Sequence, residues 1–285
     1  FLVLGTLQNK AIGASYAGRN ISTVVGSYTN NIIASEGFTL SDKSSTRPVE
    51  SPFFDDMLCA GYTLSGGILE WNINDFARDY DVYAPKVIAQ IRQSNADIAA
   101  LIAFTGTEDQ INSFAASCGY EHFYFVNAQT RDGKLHGNLL LSKYAFVGTP
   151  EAITLVPDQA TPDYDSDMEG RAFGHAVVEL RGQNVDIYFG ETSHKYQKQA
   201  LWDSLEAAVK ETADQSGREF LVLGTLQNKA IGASYAGRNI STVVESYTNN
   251  IIASAGFTLS DKSSTRPVES PFFDDMLCAN KYTLQ

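Results

Sequence analysis

The hydrophobic and polar positions alternate in blocks that read as short strands separated by a few helices. Ile68-Leu69-Glu70-Trp71-Asn72-Ile73 has the two-residue period of a strand. Residues Tyr83 to Ser94 place Val87, Ile88 and Ile91 at helical spacing, with Pro85 near the start. Asp97 to Phe104 is a near-continuous apolar run, the pattern of a strand buried on both faces. Ile111 to Cys118 predicts a short helix ended by Gly119. His122 to Val126, Gly137 to Ser142 and Ala152 to Val156 read as strands, and a polar acidic loop runs from Asp158 to Glu169. His175 to Leu180 and Val185 to Phe189 flank Gly182-Gln183-Asn184 as a hairpin. An amphipathic helix over Gln197 to Thr212 precedes a strand at Phe220 to Leu223. A helix-like segment around Ser241 to Ala253 and a last strand around Asp274 to Cys278 complete the chain. Strands with covering helices imply an α/β or α+β sandwich.

An internal repeat dominates this layout. Residues 1–60 recur as residues 220–279, and only two of the 60 aligned positions differ: Gly26 against Glu245, and Glu36 against Ala255. The copies then diverge, but both keep Tyr-Thr-Leu, at 62–64 and 282–284. The organisation expected is an extra copy of the closing quarter at 1–60, a flexible linker at 61–67 with Gly61, Gly66 and Gly67, and a domain at 68–285. A window on a tandem array with a 219-residue period and an engineered duplication both fit. The chain opens on Phe1-Leu2-Val3-Leu4, which reads as mid-strand, so Phe1 is expected to be a cut or processed end.

Composition narrows the class. With 44% hydrophobic and 19% charged residues the chain can bury a core, which excludes wholesale disorder. The net charge of −12 comes without a Lys/Arg cluster, which argues against a protein that tracks a nucleic-acid backbone. No stretch approaches the roughly 18 apolar residues a membrane-spanning helix needs. Cys59, Cys118 and Cys278 make neither a disulfide framework nor a metal knuckle.

Several strings resemble the endonuclease/exonuclease/phosphatase superfamily, the DNase I-like four-layer α/β/β/α sandwich. They are LEWNIN at 69–74, IAQIRQSNADIAALIAF at 88–104, HGNLLLSKYAFVG at 136–148, VDIYFGETSHKYQKQAL at 185–201, FLVLGTLQNK at 220–229 and FFDDMLCANKYTL at 272–284. They occur in the family's order across residues 67–285. The resemblance implies Mg²⁺-assisted hydrolysis of phosphate esters, with carboxylates holding the metal and an Asp-His pair nearby.

The same resemblance puts unusual residues at the working positions. The metal-holding Glu falls at Ala103, and the Asp of the Gly-Asp-Phe-Asn motif falls at Thr225, repeated as Thr6. The final Ser-Asp-His strand has no counterpart, since Ser260-Asp261-Lys262 has the wrong third residue and precedes the FFDDM string. Asn72 and His194 survive, and Asn228 or Gln227 stands where the second Asn falls. The expectation is a pseudoenzyme that needs no cofactor, with a Mg²⁺-dependent phosphodiesterase or nuclease as the alternative.

Plainer readings compete at each residue. Asn72 serves equally as a turn cap and His194 as a hydrogen-bonded structural residue. Asp163, Asp165 and Asp167 alternate as in a calcium loop but lack the EF-hand pattern. Asp275 is a further weak cation candidate beside Asp274, and a structural strand residue first. Asn20 and Asn239 begin Asn-Ile-Ser glycosylation triplets, which point to an extracellular or surface location. The expected partners are other copies of the chain, joined head to tail into filaments through the duplicated segment. An engineered switch, in which two copies of one segment alternate in a single body, is a third reading.

Overall fold

The computed structural model describes residues 66–74, 79–158, 169–192, 198–226, 232–244, 250–270 and 273–284, together with the backbone of seven strands between 2 and 64. The chain divides into two compact units, Phe1–Gly66 and Gly67–Gln285.

In the first unit, β1 (Leu2–Thr6), β5 (Asn31–Ser35) and β4 (Ser22–Val25) form a three-stranded antiparallel sheet. β2 (Ser15–Tyr16) pairs β3 (Arg19–Asn20), and β6 (Phe38–Thr46) pairs β7 (Met57–Leu64). The expected linker at 61–67 is therefore strand as far as Leu64, because the Tyr-Thr-Leu tail continues the β7 ladder.

The second unit is built on two sheets. One has the order β10-β11-β9-β8-β20-β19: His122–Arg131, Lys134–Ser142, Ile98–Gly106, Ile68–Asn72, Met276–Leu284 and Phe257–Thr265. The other has the order β12-β13-β14-β15-β18-β17-β16: Glu151–Val156, Arg171–Leu180, Gln183–Glu191, Glu219–Thr225, Asn250–Ala255, Arg238–Val244 and Ser234–Tyr235. Helices α1 (Tyr80–Ser94) and α2 (Glu108–Cys118) follow β8 and β9, and α3 (Lys198–Ser216) follows β14.

Three apolar layers account for four structural ones. Ile98, Ile102, Leu140, Ile187, Leu221 and Ile252 fill the space between the sheets. Trp71, Val87, Ile91, Leu101 and Phe114 pack α1 and α2 on the outer face of the first sheet. Tyr188, Leu205, Val209, Phe220 and Val222 pack α3 on the outer face of the second. This is the α/β/β/α sandwich expected from the sequence. Burial on both faces explains why β9 reads as a continuous apolar run.

The helix expected around Ser241 to Ala253 is instead strand, β17 and β18, paired antiparallel from Ile240↔Ala255 to Val244↔Ile251. Val243, Val244, Ile251 and Ile252 are β-branched, and sheet packing on two sides outweighs the helical spacing read from them. The last strand runs to Leu284, well beyond Cys278, because β20 lies between β8 and β19. The capping box at α2 is complete, with Thr107 and Gln110 satisfying each other's backbone N–H groups. Gly119 ends that helix at φ 84, the left-handed turn its position implied.

Candidate active site and its substitutions

Each sheet holds one parallel pair at its centre, β8 with β9 and β14 with β15. In-register pairing brings Asn72 opposite Ile102 and Glu191 opposite Thr225, so each pair ends level. The two ends meet, since Asn72 Nδ2 donates to Thr225 Oγ1 at 2.8 Å. Asn72, Ala103, Glu191 and Thr225 thus gather at one end of the sandwich, although 153 residues separate Asn72 from Thr225.

Two backbone devices set this geometry. Gly190 and Gly224 stand opposite each other one residue before Glu191 and Thr225. A Cβ on Gly224 would lie 1.9 Å from the Gly190 carbonyl oxygen, so the strands can approach this closely only with glycine there. On β9, the β11 register slips between Gly137 and Leu139 at a bulge. Ala103 sits in it at φ 58, and its N–H donates to Asn138 Oδ1 at 3.2 Å. Asn138 Nδ2 in turn donates to the Ala172 carbonyl of the other sheet, at 3.0 Å.

A hydrogen-bond chain runs through this end of the sandwich from Asn72 to Asp274. Thr225 Oγ1 accepts from Asn72 and donates to Asn250 Oδ1 at 2.6 Å, and Asn250 Nδ2 donates to Asp274 Oδ2 at 3.0 Å. The Asn74 N–H caps Asn72 Oδ1 at 3.0 Å, so the turn-capping reading of Asn72 holds alongside its bond to Thr225. Asn72, Thr225 and Asn250 are all buried. Burial, partly offset by the Asn250 hydrogen bond, raises the Asp274 carboxyl above its ordinary value.

Glu191 is a further carboxylate at this end, and it already has partners. Arg171 Nη1 lies 3.7 Å from it and His136 Nε2 3.9 Å. Burial works to raise its pKa, but the Arg171 charge and the His136 bond outweigh that and lower it. Arg171 also pairs with Glu169, and His136 Nδ1 bonds Thr105 Oγ1 at 2.6 Å. Sequence reasoning missed Asn138, His136, Arg171, Glu191 and Asn250; His136, Asn138 and Glu191 lie within strings that carry the resemblance but were not singled out there, and Arg171 and Asn250 lie in none.

The other expected residues distribute as follows. Asp275 accepts from Arg266 Nε at 3.1 Å and from Ser264 Oγ at 3.0 Å, so it ties β19 to β20 rather than facing the site. Asp261 lies exposed on β19. Asn239 is exposed on β17. His194, Asn228, Asp163, Asp165 and Asp167, and the side chain of Asn20, lie outside the described residues. Among the described residues no three His, Cys, Asp or Glu side chains are placed to hold one metal ion. Burial pushes the Cys118 thiol up to about 12 and that of Cys278 to about 11, which disfavours the reactive thiolate of both.

Comparison with solved structures places this architecture. An endonuclease/exonuclease/phosphatase from Beutenbergia cavernae matches at TM-score 0.55 and 15% identity, over 77% of this chain and 72% of that one. The human Nocturnin catalytic domain with bound sulfate matches at TM-score 0.60 and 12% identity, over 78% and 95%. Truncated Caenorhabditis elegans TDP2 matches at TM-score 0.52 and 14% identity, over 75% and 96%. The fold is the DNase I-like sandwich. No family model and no curated protein sequence matches this DNase I-like chain. Among its described residues no helix is long and apolar enough to cross a membrane.

Proposed function

We propose that the DNase I-like domain of this chain is a non-catalytic structural or binding module, used with further copies of itself in an extended assembly. The observation that carries this reading is the pair Ala103 and Thr225. Mg²⁺ takes hard, mostly anionic oxygen ligands. The Ala103 side chain offers none, and the neutral Thr225 hydroxyl already accepts from Asn72 and donates to Asn250. Glu191 is paired with Arg171, and Asp274 accepts from Asn250 Nδ2. The described residues therefore do not fit a catalytic Mg²⁺, and no hydrolytic step is derived through one.

Structural likeness to endonuclease/exonuclease/phosphatase proteins favours a second reading, metal-dependent phosphoester hydrolysis from a rearranged donor set. One experiment separates the two: titration of Mg²⁺ and Mn²⁺ by calorimetry, with turnover of a generic phosphodiester followed in parallel. The module reading expects no saturable cation binding and no hydrolysis above background. Ala103→Glu with Thr225→Asp should then create weak cation binding, because ligand charge sets affinity for hard cations. Metal-dependent turnover by the unmodified chain overturns the module reading in favour of the enzyme.

An extracellular or surface location belongs to the same proposal. Its support is the triplet at Asn239, which lies exposed, and its copy at Asn20. Glycan on both after eukaryotic secretion is the expected mass-spectrometric result.

A further inference from the structure

The two copies of the repeated segment build the same strand pairs. β1 pairs β5 from Leu2↔Ser35 to Thr6↔Asn31, and β15 pairs β18 from Leu221↔Ser254 to Thr225↔Asn250, so every partner is shifted by the same 219 residues. β4 pairs β5 as β17 pairs β18, and Ser44↔Cys59 recurs as Ser263↔Cys278. The tails also correspond, since Tyr62 stands opposite Leu40 as Tyr282 stands opposite Leu259.

The difference lies at the outer edges. In the second unit β15 has a further neighbour, β14, along Val185↔Glu219 to Glu191↔Thr225, and β20 has β8, along Ala279↔Ile68 to Leu277↔Glu70. Among the described residues of the first unit, β1 is the edge of its sheet and β7 the edge of a two-stranded sheet. Those edges carry the same residues that pair the body: Leu2–Thr6 repeats Leu221–Thr225, and Met57–Ala60 repeats Met276–Ala279. Neither of the two substituted positions falls on them. Open strand edges of this kind are templates for a further strand.

We infer that the β1 and β7 edges of the first unit are a docking surface for a second copy of the residue 67–219 body, through that copy's β14 and β8. This deepens the assembly part of the proposed function and is independent of whether the site hydrolyses anything. Stoichiometry selects the occupant. Each chain carries one body and two closing segments, so exchange among 285-residue chains displaces one segment for each it docks and leaves one over. Filaments built by such exchange gain no strand pairing, whereas a second body pairs the surplus segment and leaves residues 220–284 in place. Segment and body then form one more DNase I-like domain in series with the first.

The test joins a copy of residues 67–219 to Phe1 of the full chain, which recreates the native Glu-Phe junction, and follows amide hydrogen exchange. Peptides spanning 22–36 and 241–255 differ in mass through Gly26/Glu245 and Glu36/Ala255, so each copy is read separately. In the 285-residue chain, peptides from 22–36 should exchange at least about tenfold faster than those from 241–255; the added body should bring the two to the same rate. Placing Ile187→Pro in the added body removes a ladder donor and should restore fast exchange in 22–36 only. Rates in 22–36 that ignore the added body overturn the inference, as does slowing that survives Ile187→Pro. An added body that stays unprotected overturns it equally, because residues 220–284 suffice to close an identical one.

Discussion

Thr225 shows how much a single buried hydroxyl can join. It is fully buried, donates once and accepts once, and thereby joins Asn72 of one sheet to Asn250 of the other. Thr225→Val keeps the shape but removes both bonds, and should cost about 1–3 kcal/mol in urea unfolding. Thr225→Ser, which keeps the hydroxyl, should cost clearly less. His175 supplies a pH dependence at a second place. Its Nε2 bonds Asp186 at 2.7 Å, its Nδ1 bonds Glu151 at 2.9 Å, its ring stacks on Tyr188, and Arg218 Nε bonds Asp186 at 2.8 Å. Burial opposes charge on His175, but the two carboxylates outweigh it and hold its pKa above the ordinary value. Burial likewise opposes charge on Asp186, and His175 and Arg218 outweigh that and lower it. The imidazolium therefore stabilises the fold fully below the ordinary histidine value of about 6.5 and loses that contribution as pH rises through the higher folded value. Asp186 stabilises above its ordinary value and loses its contribution as pH falls through the lower folded one. The urea midpoint should decline from pH 6 toward pH 9, and His175→Gln should flatten that decline.

At the scale of elements, legibility follows how local the pattern is. β9 and α2 were readable because their patterns are local: an unbroken apolar run, and a cap at each end. β17 and β18 were not, because β-branched residues at mixed spacing satisfy either period until the sheet supplies neighbours on both sides. The site divides in the same way. Asn72, Ala103 and Thr225 sat at working positions of strings that carry the family resemblance; Asn138 lay in such a string without marking a working position, and Asn250 lay in none, being defined by Thr225, 25 residues away. The β9 bulge has its own measurable cost. Ala103 at φ 58 occupies a region that penalises any Cβ by roughly 1–2 kcal/mol, part of which glycine's chain entropy returns. Ala103→Gly should therefore stabilise the domain by about 0.5–1 kcal/mol, visible as a higher urea midpoint with unchanged slope. A lower midpoint would mean that the Ala103 methyl contributes more by packing than the left-handed backbone costs.

At the scale of the whole molecule, residues 1–60 repeat residues 220–279, and the later copy is paired into a larger body. Residues 220–284 are held by the body on two edges, and Tyr282 is fixed by its hydroxyl on Asp97 Oδ2 at 2.9 Å and by Arg181 over its ring. A segment of about 60 residues without such a body is marginal. Denaturation of the 285-residue chain should show two transitions, a weak early one from residues 1–64 and a cooperative later one. A single transition seen by probes in both copies would contradict this.

The tails differ by one residue, Gly61 in one copy against Asn280-Lys281 in the other. A pleated ladder has a phase, and losing one residue would ordinarily invert everything beyond the loss. The slip between Ser41 and Ser44 takes up the missing residue, and Tyr62-Thr63-Leu64 returns to the alignment of Tyr282-Thr283-Leu284. The bulge thus acts as an error-correcting step between reading length and reading face. A copy of this segment can gain or lose a residue at this point without losing its closing strand. Drift in length should accumulate there, while the residues on either side keep their phase.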